Sequence, residues 1–245
     1  MTIWALHGFL GLPSDFDSLK ENLGKSRADL KWHVPDYLHT RELSSMNSLG
    51  DWGLQFNQWV MSKEPQSTER ILLGYSQGGR LCLQAFKQNP GLWKGLILLS
   101  VNPGIRSGEK PVRLKSDQEW AARFLNEKFD RVVQDWNSQA VFKGSQMEPL
   151  RKESNYNRHQ LADALVNWSV ANQEDFRNLL STTQTPIFYI AGENDHKYRQ
   201  IGETLHVLNP KIYFQALKNS GHRVLFDQPV SLATVMGDWL NSYCK

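Results

Sequence analysis

Apolar residues recur along this chain in two patterns. Short, β-rich runs occupy Ile3–Leu6, Lys31–Val34, Arg70–Tyr75, Gly95–Val101, Pro186–Ala191 and Ile212–Leu217. Four of the six are apolar at nearly every position, which predicts strands covered on both faces. Lys31–Val34 is the least apolar and is expected at a sheet edge, where a lysine discourages edge pairing. Between these runs lie stretches with helical spacing, near 14–23, 49–63, 77–87, 199–208 and 230–242. Strands alternating with helices predict a mostly parallel sheet joined by right-handed crossovers, hence an α/β fold.

One stretch breaks the alternation. Residues 103–182 are rich in Arg, Gln, Asn and Trp, with helical spacing in "DQEWAARFLNEKFDRVVQDW" and "QLADALVNWSVANQEDFRNLL" and no convincing strand. The division expected is an α/β core made of 1–102 and 183–245, with a helical cap inserted at 103–182. Such an insertion belongs over the C-terminal edge of the sheet, where α/β folds bind ligands. No internal repeat or low-complexity segment interrupts this plan.

Composition narrows the function classes. With 245 residues, 40% hydrophobic and 22% charged, the chain suits a globular domain with a sizeable core. A formal charge of +3 and scattered basic residues argue against a nucleic-acid partner. Two cysteines, Cys82 and Cys244, make no disulfide framework, and Cys82 sits in an apolar helical register as a small core residue. That favours a reducing compartment. The first strand begins almost at Met1 and no apolar run approaches a membrane span, so no leader, no membrane insertion and a cytoplasmic location are expected. A monomer or weak homo-oligomer is expected.

Candidate chemistry starts at Gly74-Tyr75-Ser76-Gln77-Gly78, which joins an apolar strand to a helical run. A strand that stops at Gly-x-Ser-x-Gly and turns into a helix exposes the serine hydroxyl at a sharp corner, and flanking glycines remove clashing side chains. The alternative is a glycine-rich turn with an incidental serine. A nucleophilic serine needs a base, and the base an orienting acid. Asp195 follows the run "PIFYIA" and His222 follows "IYFQAL", in the chain order such a fold requires. Asp195 reads alternatively as a helix N-cap, and His222 as a loop histidine. His33, His39, His159, His196 and His206 lack this placement. The backbone N–H groups of Phe9 and Gln77 are the expected oxyanion donors, one from the loop after the first strand and one at the positive end of the helix. His7 is read as structural, tying down its loop.

These residues carry a resemblance. Over nearly its whole length the chain resembles the α/β-hydrolase superfamily, and most closely the 2-succinyl-6-hydroxy-2,4-cyclohexadiene-1-carboxylate (SHCHC) synthases of menaquinone biosynthesis. The stretches that carry it are "LHGFLG" (6–11), "GYSQGGR" (74–80), "RLKSDQEWAARFL" (113–125), "DWNSQAVF" (135–142), "GENDHKYR" (192–199) and "SGHRVLFDQP" (220–229). The resemblance implies a lyase that expels pyruvate from a tricarboxylate. Ser76, Asp195 and His222 would be its triad, with Tyr75, Arg80, Arg113, Trp136 and Arg151 lining the substrate site. No metal or organic cofactor is implied, and the partner is a small anionic molecule. Arginine suits such a substrate because its planar fork binds carboxylates bidentately. Arg80 lies one helical turn after Ser76, on the same face. The bland alternatives stay open: Arg80 capping loop carbonyls, Arg113 in solvent, Arg158 in place of Arg151, and Trp136 as core.

The chain departs from the family pattern in three ways. "VPDYLHT" (34–40) stands where the family has "DLPGHG", and Gln77 follows the serine where the family has Leu or Met. The third departure is an opening directly on the strand, which predicts about six strands, not eight. Gln at this place is common in carboxylesterases, so a serine carboxylesterase acting through an acyl-enzyme is the alternative. A hydrolase-fold receptor that only binds a ligand is a third reading, and the intact serine, acid and base argue against it.

Overall fold

A computed structural model describes residues 1–44, 48–66, 69–147 and 149–243; Cys244 lies outside them. Its strands are β1 (Thr2–Leu6), β2 (Lys31–His33), β3 (Arg70–Tyr75), β4 (Gly95–Leu99), β5 (Ile187–Gly192) and β6 (Ile212–Leu217). They form one sheet in the order β2-β1-β3-β4-β5-β6, and every pairing is parallel. The helices in chain order are α1 (Asp17–Gly24), α2 (Arg41–Ser44), α3 (Leu49–Lys63), α4 (Gln77–Gln88), α5 (Lys110–Asn126), α6 (Phe129–Asn137), α7 (Arg158–Asn167), α8 (Arg177–Thr182), α9 (His196–Leu208), α10 (Val224–Asp227) and α11 (Pro229–Tyr243). The result is an α/β fold built on one six-stranded parallel sheet.

The apolar runs behave as their composition requires. β1, β3, β4 and β5 are buried along their whole length, while β2 and β6 occupy the two edges and are partly open. Side chains alternate between faces. Ile3, Ala5, Ile71 and Leu73 join the core under α1 and α11, and Trp4, Leu6 and Leu72 join the one under α3 and α4. β4 ends two residues before the expected Val101 because Ser100 adopts a left-handed φ of 50°, which turns the chain out of the sheet. α9 begins at His196, three residues before the expected start. Asp195 provides the reason, since its side chain accepts the Tyr198 N–H and caps the helix.

Between β4 and β5 the described residues form helices and turns, with no strand among them. α5 packs on α7. Phe124, Val132, Leu161 and Trp168 belong to the same buried cluster as Trp4 and Leu72, so this segment continues the core under one face of the sheet. No helix among the described residues is long and apolar enough to cross a membrane. Cys82 is a buried free thiol inside α4.

Candidate active site

Ser76 sits at the corner between β3 and α4 with φ 50° and ψ −111°, a conformation that non-glycine residues rarely hold. The corner is tight enough to require its glycines. A Cβ on Gly74 would stand 2.4 Å from the Gly79 Cα, and one on Gly78 would stand 2.2 Å from the carbonyl oxygens of Leu6 and His7. Gln77 is the first residue of α4, so its backbone N–H has no intrahelical acceptor and faces the turn.

The loops after β5 and β6 bring the other two groups to the serine. His222 Nε2 lies 3.1 Å from Ser76 Oγ, and His222 Nδ1 lies 2.7 Å from Asp195 Oδ2. Both His222 and Asp195 are buried. Asp195 therefore has two roles: Oδ1 caps α9 and Oδ2 holds the imidazole. The carboxylate fixes Nδ1 as the protonated nitrogen and leaves Nε2 to accept the serine proton. The rings of Tyr198, Tyr75 and Phe142 pack around His222 at 4.5, 5.7 and 5.8 Å. The His222 loop is pinned to the end of α6 and the segment after it: Arg223 lies over the Phe142 ring at 4.1 Å and donates to Asn137 Oδ1 at 2.6 Å. Asp227 accepts the Gln146, Met147 and Gly221 N–H groups.

Two lobes open on either side of Ser76, with Phe9 and Trp136 bordering both. The first is bounded by Tyr75, Phe142, Phe226, Asp15, Arg151 and Arg223. The second is bounded by Gln77, Arg80, Arg113, Asp117, Asn102 and Tyr198. Tyr75, Arg80, Arg113, Trp136 and Arg151 thus all reach the serine's surroundings, but their electrostatic states differ.

Arg151 in the first lobe is neutralised. Its guanidinium makes two bonds of 2.8 Å to the carboxylate oxygens of Asp15, with both side chains buried. Arg158 lies elsewhere, bonded to the carbonyls of Phe124 and Glu127. Arg80 in the second lobe is buried, donates to the Trp168 carbonyl at 2.7 Å, and has no carboxylate at ion-pair distance among the described residues. Burial, and the nearby charge of Arg113, pull its pKa down to about 10, so it stays cationic at neutral pH. Arg113 is 42% exposed and bonds Asp117 at 2.8 Å. The carbonyl-capping alternative for Arg80 and its place beside Ser76 are both true of this molecule. Trp136 is likewise both packing and wall, with its ring 4.7 Å from Phe9.

His7 is fully buried, stacks on Tyr37 at 4.3 Å and donates Nδ1–H to the Gly8 carbonyl at 2.9 Å. Its Nε2 is buried without a hydrogen-bond partner. Burial lowers its pKa and outweighs the Gly8 carbonyl and the Asp36 carboxylate, 3.9 Å from Nε2, which oppose the shift. The unfolded chain then binds the proton more readily, so this contribution is present above pH ~6.5 and is lost as pH falls below it. The thermal midpoint is expected to drop between pH 7 and 5, and to drop less steeply in His7→Gln. Equal slopes for the two proteins would remove His7 from the account.

Tyr37, Tyr198, Asp15 and Arg223 were not singled out from the sequence. Arg223, Tyr198 and Tyr37 lie inside "SGHRVLFDQP", "GENDHKYR" and the departing stretch "VPDYLHT", which offered a signal; Asp15 had none. Among the described residues no cluster of His, Cys and carboxylates could hold a metal ion.

A parallel sheet with a strained serine at its third strand, and acid and base on the two loops beyond, defines an α/β-hydrolase. The chain belongs to that family: the alpha/beta hydrolase fold matches residues 5–229, and the protein is an enzyme of this superfamily. Its relatives include the 2-succinyl-6-hydroxy-2,4-cyclohexadiene-1-carboxylate synthase of Klebsiella pneumoniae subsp. pneumoniae, 32% identical over 176 residues, covering 70% of this chain and 68% of that one. The protein of the same name from Citrobacter koseri is 35% identical over 166 residues, 66% of this chain and 64% of its own. Among solved structures, MenH from S. aureus matches with a TM-score of 0.85 at 22% identity, over 100% of this chain and 95% of that one. A thermophilic esterase from Thermogutta terrifontis matches with a TM-score of 0.77 at 16% identity, over 100% and 91%. At those identities the structural likeness speaks for the fold.

Proposed function

We propose that this enzyme is an SHCHC synthase of menaquinone biosynthesis, a lyase that eliminates pyruvate from a tricarboxylate cyclohexene. The observation that carries the reading is Arg80: a buried guanidinium beside Ser76 with no carboxylate at ion-pair distance among the described residues. Burying an unpaired cation costs several kcal/mol, which a chain specialised for neutral esters has no reason to sustain. An anionic substrate offsets that cost. The names of the relatives point the same way.

In this reading His222 Nε2 takes the Ser76 proton, and the serine oxygen removes the acidic ring hydrogen beside the succinyl ketone. Charge moves onto the ketone oxygen, where the Phe9 and Gln77 amides stabilise it. The electron pair then passes through the conjugated ring and breaks the bond to the enolpyruvyl oxygen. The leaving enolate takes a proton and becomes pyruvate. Asp195 stabilises the imidazolium formed in between. The serine acts as a base, and no acyl-enzyme forms. Arg80 and Arg113 bind substrate carboxylates, Tyr75 and Trp136 wall the ring, and Arg151, already paired with Asp15, holds the first lobe together. Residues 103–182 serve as the cap that closes over this site.

The test is an assay of pyruvate released from the tricarboxylate precursor, run beside hydrolysis of a neutral aryl ester. Pyruvate release far above ester turnover is expected. Brisk ester hydrolysis without pyruvate would give the site to a carboxylesterase.

A further inference from the structure

The two departures at 34–40 and at position 77 meet in space. Tyr37 is fully buried and Gln77 nearly so. The Tyr37 hydroxyl lies 3.0 Å from the His7 carbonyl oxygen, 3.4 Å from that of Gly8 and 3.4 Å from Gln77 Oε1. Gln77 Nε2 donates to the Ala164 carbonyl at 3.2 Å. Ala164 is in the last turn of α7, where carbonyls have no intrahelical donor and need one from elsewhere. The Tyr37 ring also stacks on His7 and lies 5.8 Å from Trp168, the residue that closes α7. One buried pair therefore touches the loop that carries the Phe9 amide, the corner that carries the Gln77 amide, and the end of a helix in the segment over the site.

We propose that Tyr37 and Gln77 are a matched pair of positioning residues that set the separation of the two oxyanion donors and dock the end of α7 against them. The proposal rests on the reading that the Phe9 and Gln77 amides receive the developing negative charge. Donors of this kind work only within a narrow range of geometry, so the elements holding them must be tied to one another. The pairing also explains the residue types. Gln77 Nε2 donates to Ala164, while Gln77 Oε1 shares the single Tyr37 hydroxyl proton with the nearer His7 carbonyl and that of Gly8. A buried tyrosine hydroxyl needs an acceptor, and the loop carbonyls and Gln77 supply it. Gln77 borders the second lobe, yet both polar ends of its side chain are engaged away from the serine. Its presence is then no sign of ester chemistry.

The experiment is a double-mutant cycle with Tyr37→Phe, Gln77→Leu and both together. Tyr37→Phe keeps the ring stacked on His7 and removes only the hydroxyl, so the fold is retained. Three quantities are read: the rate at which a fluorophosphonate labels Ser76, the kcat and KM of pyruvate release, and the thermal midpoint. Each single variant is expected to lower the labelling rate and kcat about five- to ten-fold with KM changed less than about two-fold, and the double to match the worse single, as members of one unit do. Effects that multiply in the double would overturn the proposal. So would a shifted midpoint with unchanged labelling and turnover, which is what simple packing gives. Labelling needs no knowledge of the substrate. A wild type that releases no pyruvate therefore counts against the synthase reading alone, while the labelling rates still decide the pair.

Discussion

Ser76→Ala is expected to lower pyruvate release by roughly three to four orders of magnitude, and His222→Ala by about as much. The size follows from the single proton path. Ser76 Oγ reaches the base through one bond of 3.1 Å, and His222 is itself held by one bond of 2.7 Å to Asp195. Without the oxygen there is nothing to receive the ring proton. Without the imidazole the hydroxyl stays protonated at neutral pH. Since both act on the same step, the double variant is expected to be hardly slower than either single, with residual turnover left to the backbone amides and substrate binding. The serine variant is the decisive arm, because alanine occupies the same strained corner and removes a single oxygen, leaving the thermal midpoint nearly unchanged. His222→Ala also empties a space among Tyr75, Phe142 and Tyr198 and is expected to melt earlier. Near-normal turnover by Ser76→Ala with an unchanged melting curve would make the corner structural and sink the mechanism.

The parts of this molecule that were legible in the sequence are those set by local pattern. β3 and β6 occupy the runs expected for them because each is apolar in the middle and ends at turn residues. The order of serine, acid and base could be read because each follows a strand, and strand ends are easy to find. α9 starts three residues before the expected 199 because its first turn, His196-Lys197-Tyr198, carries no apolar period, while Asp195, read both as acid and as N-cap, is both. The short helix α2 gives no periodic signal, since four residues do not complete a pattern, and α8 is not separable from the longer helical pattern at 160–180 that contains its start. What escaped altogether was pairing between distant residues. Nothing near Arg151 announces that Asp15, 136 positions away, cancels its charge. Nothing near Tyr37 announces Gln77. Such contacts are decided by how the loops fold over the sheet, and a residue's neighbours in sequence carry no trace of it.

That distinction between paired and unpaired arginines yields the sharpest separation of synthase from esterase. Arg80→Met keeps the length and apolar stem of the side chain but removes the charge and the bond to Trp168. A charge-assisted bond to a substrate carboxylate is worth about 1.5–3 kcal/mol. Removing it is therefore expected to lower kcat/KM for the tricarboxylate about ten- to a hundred-fold. Hydrolysis of a neutral aryl ester should stay within about three-fold of wild type. Arg113→Ala should cost less, about three- to ten-fold, because its guanidinium is 42% exposed and already shares its charge with Asp117. Salt should distinguish them too. The Arg113 contribution is open to solvent and is expected to fade between 50 and 500 mM salt, roughly, whereas the buried Arg80 contribution should persist. The outcome to watch is the ester. If Arg80→Met slows ester and tricarboxylate equally, Arg80 serves only to hold the end of α7 through Trp168, and the case for an anionic substrate loses its main support.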